Sequence, residues 1–400
     1  MENKKFNGDR LKSARLYNGW TLQELADKTE ISKQSISLYE NKRSIPEYER
    51  VYKMARVLGF PFDYFFGSDI TTTTPETTYF RSFSTATKKD CIAQSIKLEL
   101  VARMYEVLLQ YLEFPKFNDP NVSFEGFDDA FTLETSEAIE AMEVVAAKVR
   151  KYWGTGTGPI KDFQYMLEKN GILVTGFPAN KDRIDAFSQR TVVDGYGIFL
   201  IAVVLGRLPE CRIRFDMAHE LGHILLHPWS EDLEALSKDE FNVREKQANM
   251  FASALLLPRE AFGRDISQYP TNLKYYEFLK EKWNVSMQAM LYRTRQLKII
   301  TANQYQYLMR QVSKNGWRTC EPGDEIPGDL NESIFQGAVD CLFENHILSP
   351  KTLMQDFRRN GIDLYPDMIE DLLHLKTGTL CFEDKVIPLF QIKPSVTDTE

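Results

Sequence analysis

In the run His219-Glu220-Leu221-Gly222-His223, two imidazoles stand four residues apart. On an α-helix that spacing places them about 40° apart on one face, so both can reach a single metal ion. Glu220 sits three positions before His223, on the flank of that face, where its carboxylate can take a proton from a water activated by the metal. The chain has five histidines, and three of them, His219, His223 and His227, fall within nine residues. The competing reading is a helix whose histidines coincide by chance.

Two histidines do not make a stable zinc site, because catalytic zinc takes three protein ligands and a water. The candidates downstream are His227, Glu231, Asp232, Glu234, Asp239, Glu240 and Glu245. Helical burial favours Glu245. In REKQANMFASALLLP the apolar stripe is Ala248, Phe251, Ala252, Leu255 and Leu256, and Glu245 lies three residues before Ala248 and seven before Ala252, on that inward face. A carboxylate aimed into a core is costly unless it is paired or bound to a cation. The alternative puts Glu245 in the first turn of its helix, where it would complement the helix dipole. His227, at a helix end beside Pro228, and Asn249 are expected behind the ligands in supporting roles. With His219, His223 and Glu245 around Zn2+ and Glu220 as general base, the set suits amide hydrolysis, Glu220 passing its proton on to the leaving amine.

Positioning these residues takes more than one domain. Four hundred residues suggest two or three. Apolar content of 43% and charged content of 26% are those of a globular chain able to bury cores. No apolar run is long enough to cross a bilayer, and the N-terminus lacks the apolar core of a secretory signal. Five scattered cysteines without a C-x-x-C pair point to reduced thiols in a cytoplasmic protein and away from a cysteine-ligated metal. Residues 1–67 carry twelve Lys/Arg and nine Asp/Glu, a net +3, which leaves −11 of the total −8 on the remainder. A mildly basic end on an acidic body fits one nucleic-acid-binding module.

That end reads as short helices. Thr21 is a plausible N-cap for 22–28, a turn runs through 29–31, and Ser32 caps a helix to residue 40, with Ile36 and Tyr39 inward. Asn41 is expected to close it in a left-handed conformation, with Pro46 beyond. Two short helices joined by a tight turn define a helix-turn-helix, whose second helix enters the major groove. Lys33, Gln34, Ser35 and Ser37 are then the residues offered to bases or phosphates, and Asn41, Lys42 and Arg43 follow where backbone phosphates lie. The alternative is a helical bundle serving protein interaction.

Downstream, the Thr-rich stretch 68–79 reads as a linker, 80–135 as a helical connector with a long helix over 80–113, and 136–153 as helix. Strands are expected at 172–177 and 196–205, the histidine helix from about Phe215 to His227, another from Arg244 to Leu257, and a largely helical tail. The fold class is therefore mostly α with a small sheet (α+β): an all-α helix-turn-helix domain at 1–67, a domain carrying the H-E-x-x-H site over 136–325, and a helical region over 326–400.

Residues 6–67 resemble the Xre, or Cro/C1-type, helix-turn-helix family through T-L-Q-E-L-A, S-K-Q-S-I-S-L-Y-E-N-K-R-S-I-P and G-F-P-F-D-Y-F-F. Residues from roughly 136 to 320 resemble the ImmA/IrrE metallopeptidases through E-K-N-G-I-L-V, R-I-R-F-D-M-A-H-E-L-G-H-I-L-L-H, E-K-Q-A-N-M-F-A-S-A-L-L-L-P and W-N-V-S-M-Q-A-M-L-Y-R-T-R-Q-L-K-I-I. The resemblance implies a metal held by His219, His223 and Glu245, with Glu220 catalytic. It also implies a regulator that binds a double-stranded operator and cuts a repressor-type protein. Two alternatives stay open: a transcription factor whose metal domain is a sensor or dimerisation scaffold without turnover, and an antitoxin-like or phage-type repressor. A homodimer is expected from the paired half-sites that such helix-turn-helix proteins bind.

Overall fold

The computed structural model describes residues 5–67, 74–80, 88–129, 131–178, 185–229 and 236–381. Glu231, Asp232, Glu234 and the first part of the expected linker lie outside them.

The N-terminal module is four helices, α1 (Gly8–Tyr17), α2 (Leu22–Thr29), α3 (Lys33–Glu40) and α4 (Tyr48–Leu58), closed by a 3₁₀ turn at Phe62–Phe66. Thr21 and Glu24 form a reciprocal capping box that starts α2, and Ser32 accepts from the Ser35 amide at 3.1 Å to start α3. Leu25, Ile36, Val51 and Phe65 are buried between the helices. The Arg15 guanidinium grips Glu40 through both carboxylate oxygens at 2.7 and 2.8 Å, fixing α1 against the end of α3. The expected left-handed residue is Lys42 (φ 59°), not Asn41. Asn41 keeps φ −86° because its side-chain amide donates to the Ser37 carbonyl at 2.7 Å, and the chain reverses one residue later.

The remaining elements are β1 (Thr74–Phe80), α5 (Lys88–Leu108), α6 (Ser136–Tyr152), α7 (Phe163–Lys169), β2 (Ile172–Pro178), β3 (Ala186–Val193), β4 (Tyr196–Leu205), α8 (Glu210–Leu226), α9 (Lys238–Leu256), α10 (Arg259–Ile266), α11 (Leu273–Trp283), α12 (Met287–Gln296), α13 (Ala302–Lys314), α14 (Ile334–Glu344), α15 (Pro350–Arg359) and α16 (Pro366–Leu373). Their sheet has the order β1-β3-β4-β2, with β2 parallel to β4 and the other two pairings antiparallel. The fold is mostly helical with this small sheet, an α+β chain.

Both faces of the sheet are covered. Ile172, Val174, Ile201 and Val203 join the core beneath α6, α8 and α9, and Leu173, Phe177, Phe187 and Leu200 join a second core with α5, the N-terminal module and α14 to α16. The cores therefore cut across the expected divisions at 68–79 and 326. Arg10 of α1 reaches the Gly361 carbonyl at 2.8 Å, and the Thr175 hydroxyl of β2 reaches the Leu372 carbonyl at 2.7 Å, so the C-terminal helices brace the N-terminal module to the sheet. Thr74–Phe80, which runs from the stretch read as linker into the first residue of the expected connector, pairs with β3, since threonine, a β-branched residue, suits an extended chain once an edge is offered. Among the described residues, no helix is long and apolar enough to cross a membrane.

Candidate metal centre and nucleic-acid interface

Helix α8 carries both histidines, beginning after Pro209 and ending before Pro228. Helix α9 begins at Lys238 and not at Arg244, because Ser237 and Glu240 form a capping box. Glu245 therefore sits two turns inside the helix, and the first-turn dipole role does not apply to it. The two helices cross at Gly222, where a Cβ would lie 3.0 Å from the Ala248 Cα, and this close approach brings Glu245 up to the histidines.

Hydrogen-bond capacities fix the ring tautomers. The Asn249 amide nitrogen donates to the Glu245 carbonyl at 2.8 Å, which turns its oxygen toward His219 Nδ1 at 3.2 Å. An amide oxygen only accepts, so Nδ1 carries the proton and Nε2 presents a lone pair. Gln247 does the same for the second ring through an intermediate. Its nitrogen donates to the Phe127 carbonyl at 3.0 Å, its oxygen accepts from His227 Nε2 at 2.9 Å, and His227 Nδ1 accepts from His223 Nδ1 at 2.9 Å. His223 Nε2 is then a lone pair too.

These donors converge. The two Nε2 atoms are 3.0 Å apart, and the Glu245 oxygens stand 3.4 Å from that of His219 and 3.2 Å from that of His223. Ligands about 2.1 Å from a tetrahedral ion are separated by about 3.4 Å. Two imidazole lone pairs and a carboxylate this close repel one another unless a cation lies between them, so the set fits a metal ion. Burial, with His223 next to it, pushes His227 well below its ordinary range and keeps it neutral, as the tautomer chain requires.

Glu220 is fully buried beside the ligands, and its Oε2 accepts from the Ser188 hydroxyl of β3 at 2.6 Å. Neither Ser188 nor Gln247 was assigned a role by sequence reasoning. Gln247 lies within the quoted E-K-Q-A-N run, but nothing in its spacing marks it, and Ser188 belongs to a strand that hydrophobic patterning does not show. Asp239 and Glu240 stay outside the cluster, both exposed at the start of α9, and His227 lies behind His223, away from Glu245.

On the N-terminal module, Lys33, Gln34, Asn41, Lys42 and Arg43 are exposed on α3 and the turn after it. Ser35 and Ser37 are half-buried: Ser35 pairs with the Ser32 hydroxyl at 2.8 Å, and the Ser37 hydroxyl lies 3.4 Å from the Asn41 amide. Lys42 also forms an ion pair with Asp9 of α1.

Fold and geometry together define a helix-turn-helix protein that carries an H-E-x-x-H metal-site domain. Residues 11–65 match the family model described as helix-turn-helix, and residues 167–295 match that of the IrrE N-terminal-like domain, a peptidase family. The chain is thus a fusion of an Xre-type DNA-binding domain and an IrrE/ImmA-like, metallopeptidase-like domain, whose family implies a metal. No curated protein matches the chain.

Proposed function

We propose that the chain is a cytoplasmic, DNA-binding transcriptional regulator that hydrolyses a peptide bond in a regulatory protein of repressor type. The observation that carries this reading is the pair of outward lone pairs on His219 and His223, closed by Glu245 and flanked by Glu220. Zn2+ bound there supplies a Lewis acid that polarises the scissile carbonyl and makes water acidic near neutral pH. Glu220, held by Ser188, receives the water proton and returns it to the departing amine. Lys33, Gln34, Ser35 and Ser37, with Asn41, Lys42 and Arg43 behind them, present α3 to operator DNA, and a homodimer would place two such helices on paired half-sites.

The burial of both histidines favours a second reading, a metal-dependent sensor or scaffold without turnover. Metal content, promoter control and cleavage of co-encoded regulators, measured for wild type, Glu220→Gln and His219→Ala, separate the two. Peptide hydrolysis predicts a Glu220→Gln protein that keeps its metal and loses cleavage. If Glu220→Gln retains promoter control while His219→Ala loses it, the sensor reading stands and the peptidase reading fails.

A further inference from the structure

The Ser188 hydroxyl ties β3 to Glu220. The inner edge of β3 is paired with β4, so an extended peptide brought to Glu220 by strand addition has one edge to join. That edge is taken by residues 74–80 of the same chain, with Tyr79 opposite Ser188, Thr77 opposite Arg190 and Phe80 opposite Phe187. Directly paired residues share a sheet face, so positions 77 and 79 lie on the Ser188 face, and position 79 is one strand spacing of about 4.8 Å from the residue that holds Glu220. From this placement we propose that β1 is an autoinhibitory strand: it occupies in cis the peptide track of the metal centre, and an extended segment of a target protein must replace it. The consequence for catalysis rests on the peptidase reading; the strand exchange itself does not.

The strand is built to be replaceable. Its register with β3 breaks between Pro75 and Thr77, whereas β2 and β4 pair without interruption from Ile172 and Phe199 to Pro178 and Leu205. Proline offers no amide to a ladder, and a bulge leaves a residue unpaired. The strand also stands between two anchored elements. The module ending at Gly67 precedes it, and α5, which packs on both α1 and β3, follows it. Capture of a target strand on β3 thus acts on the chain that joins the DNA-binding module to α5. The fitting partner is an extended segment rich in β-branched and aromatic residues.

The test uses the full chain with Glu220→Gln, so that nothing is hydrolysed. Thr77→Pro and Thr78→Pro are added together; alternate amides of a strand face its neighbour, so one of the two removes a ladder donor. The probe is a fluorescein-labelled synthetic copy of residues 74–80, read by anisotropy, with hydrogen exchange followed at residues 187–192. The double-proline variant should bind the peptide at least tenfold more tightly than its parent, and exchange at 187–192 should rise and fall back when peptide is added. A second variant, with residues 74–80 replaced by alternating Gly and Ser, should behave likewise and guards against a folding defect caused by proline. Equal peptide affinity in parent and variants, or exposed 187–192 amides that the peptide does not protect, overturns the proposal. Peptide binding is read without turnover, so it stands or falls apart from the peptidase reading, which cleavage assays on the wild-type protein test.

Discussion

The Ser188 hydroxyl donates to Glu220 Oε2 at 2.6 Å, so the carboxylate beside His219, His223 and Glu245 is aimed by a strand and not by its own helix. A hydrogen bond to a charged acceptor is worth about 1.5–3 kcal/mol. Ser188→Ala should therefore lower kcat for peptide cleavage by about ten- to hundredfold while leaving metal content intact. Steady-state kinetics beside metal analysis checks this, and a variant that loses metal and turnover together would mean that Ser188 supports the fold rather than the base.

His227 acts through His223. Its Nδ1 accepts the proton of His223 Nδ1, and its own Nε2 proton goes to Gln247, so removing it frees the His223 ring to rotate or change tautomer. Loss of such a support typically weakens metal affinity by about 10–100-fold. His227→Ala should show that loss in a chelator competition, and Gln247→Ala a loss of the same sign. Unchanged affinity in both would remove the tautomer chain from the account of the site.

The parts of this site readable in sequence are those whose signal is local. Thr21 and Ser32 announce α2 and α3 through caps, and Glu245 betrays itself as an acid on an apolar stripe. Strand β3 is different. Ser188, Gln189 and Thr191 are all buried, so a strand covered on both faces shows no hydrophobic alternation, and the residue that holds Glu220 stays hidden with it. The start of α9 was legible in principle, because Ser237 and Glu240 have capping-box spacing, but the polar residues after them carry no periodic signal. The pairing of β1 depends on an edge that only the assembled sheet supplies.

Glu168 of α7 links stability to pH. Burial raises its carboxyl from the ordinary 4.5 to about 7, against the opposing hydrogen bonds from the Ile334 amide at the start of α14 and from Gln164. Its folded-state pKa lies above the unfolded value, so the group costs nothing below about pH 4.5, and stability is lost as pH rises toward 7. The full loss is about 3 kcal/mol. Glu168→Gln keeps an acceptor for Ile334 and removes the titration. Urea melts should show the variant more stable than wild type at pH 8 by up to that amount and nearly equal at pH 4.5; parallel curves at both values would contradict the assignment.

Gly222 lies in the middle of a helix, where glycine is about 1 kcal/mol less favourable than alanine. An added Cβ would stand 3.0 Å from the Ala248 Cα, 3.2 Å from the Ala248 carbonyl oxygen and 3.2 Å from a Phe251 ring carbon. Two of those neighbours are backbone of α9 and cannot turn aside, so the helices must separate. Overpacking of this kind costs about 1–3 kcal/mol, which offsets the helical gain. Separation also draws Glu245 from His219 and His223, because it sits one turn before Ala248 on the same helix. Gly222→Ala should therefore weaken metal binding more than it lowers the thermal midpoint of the metal-free protein. Measuring both in one preparation decides the matter: a variant with wild-type metal affinity would show that the helix crossing does not set the ligand geometry.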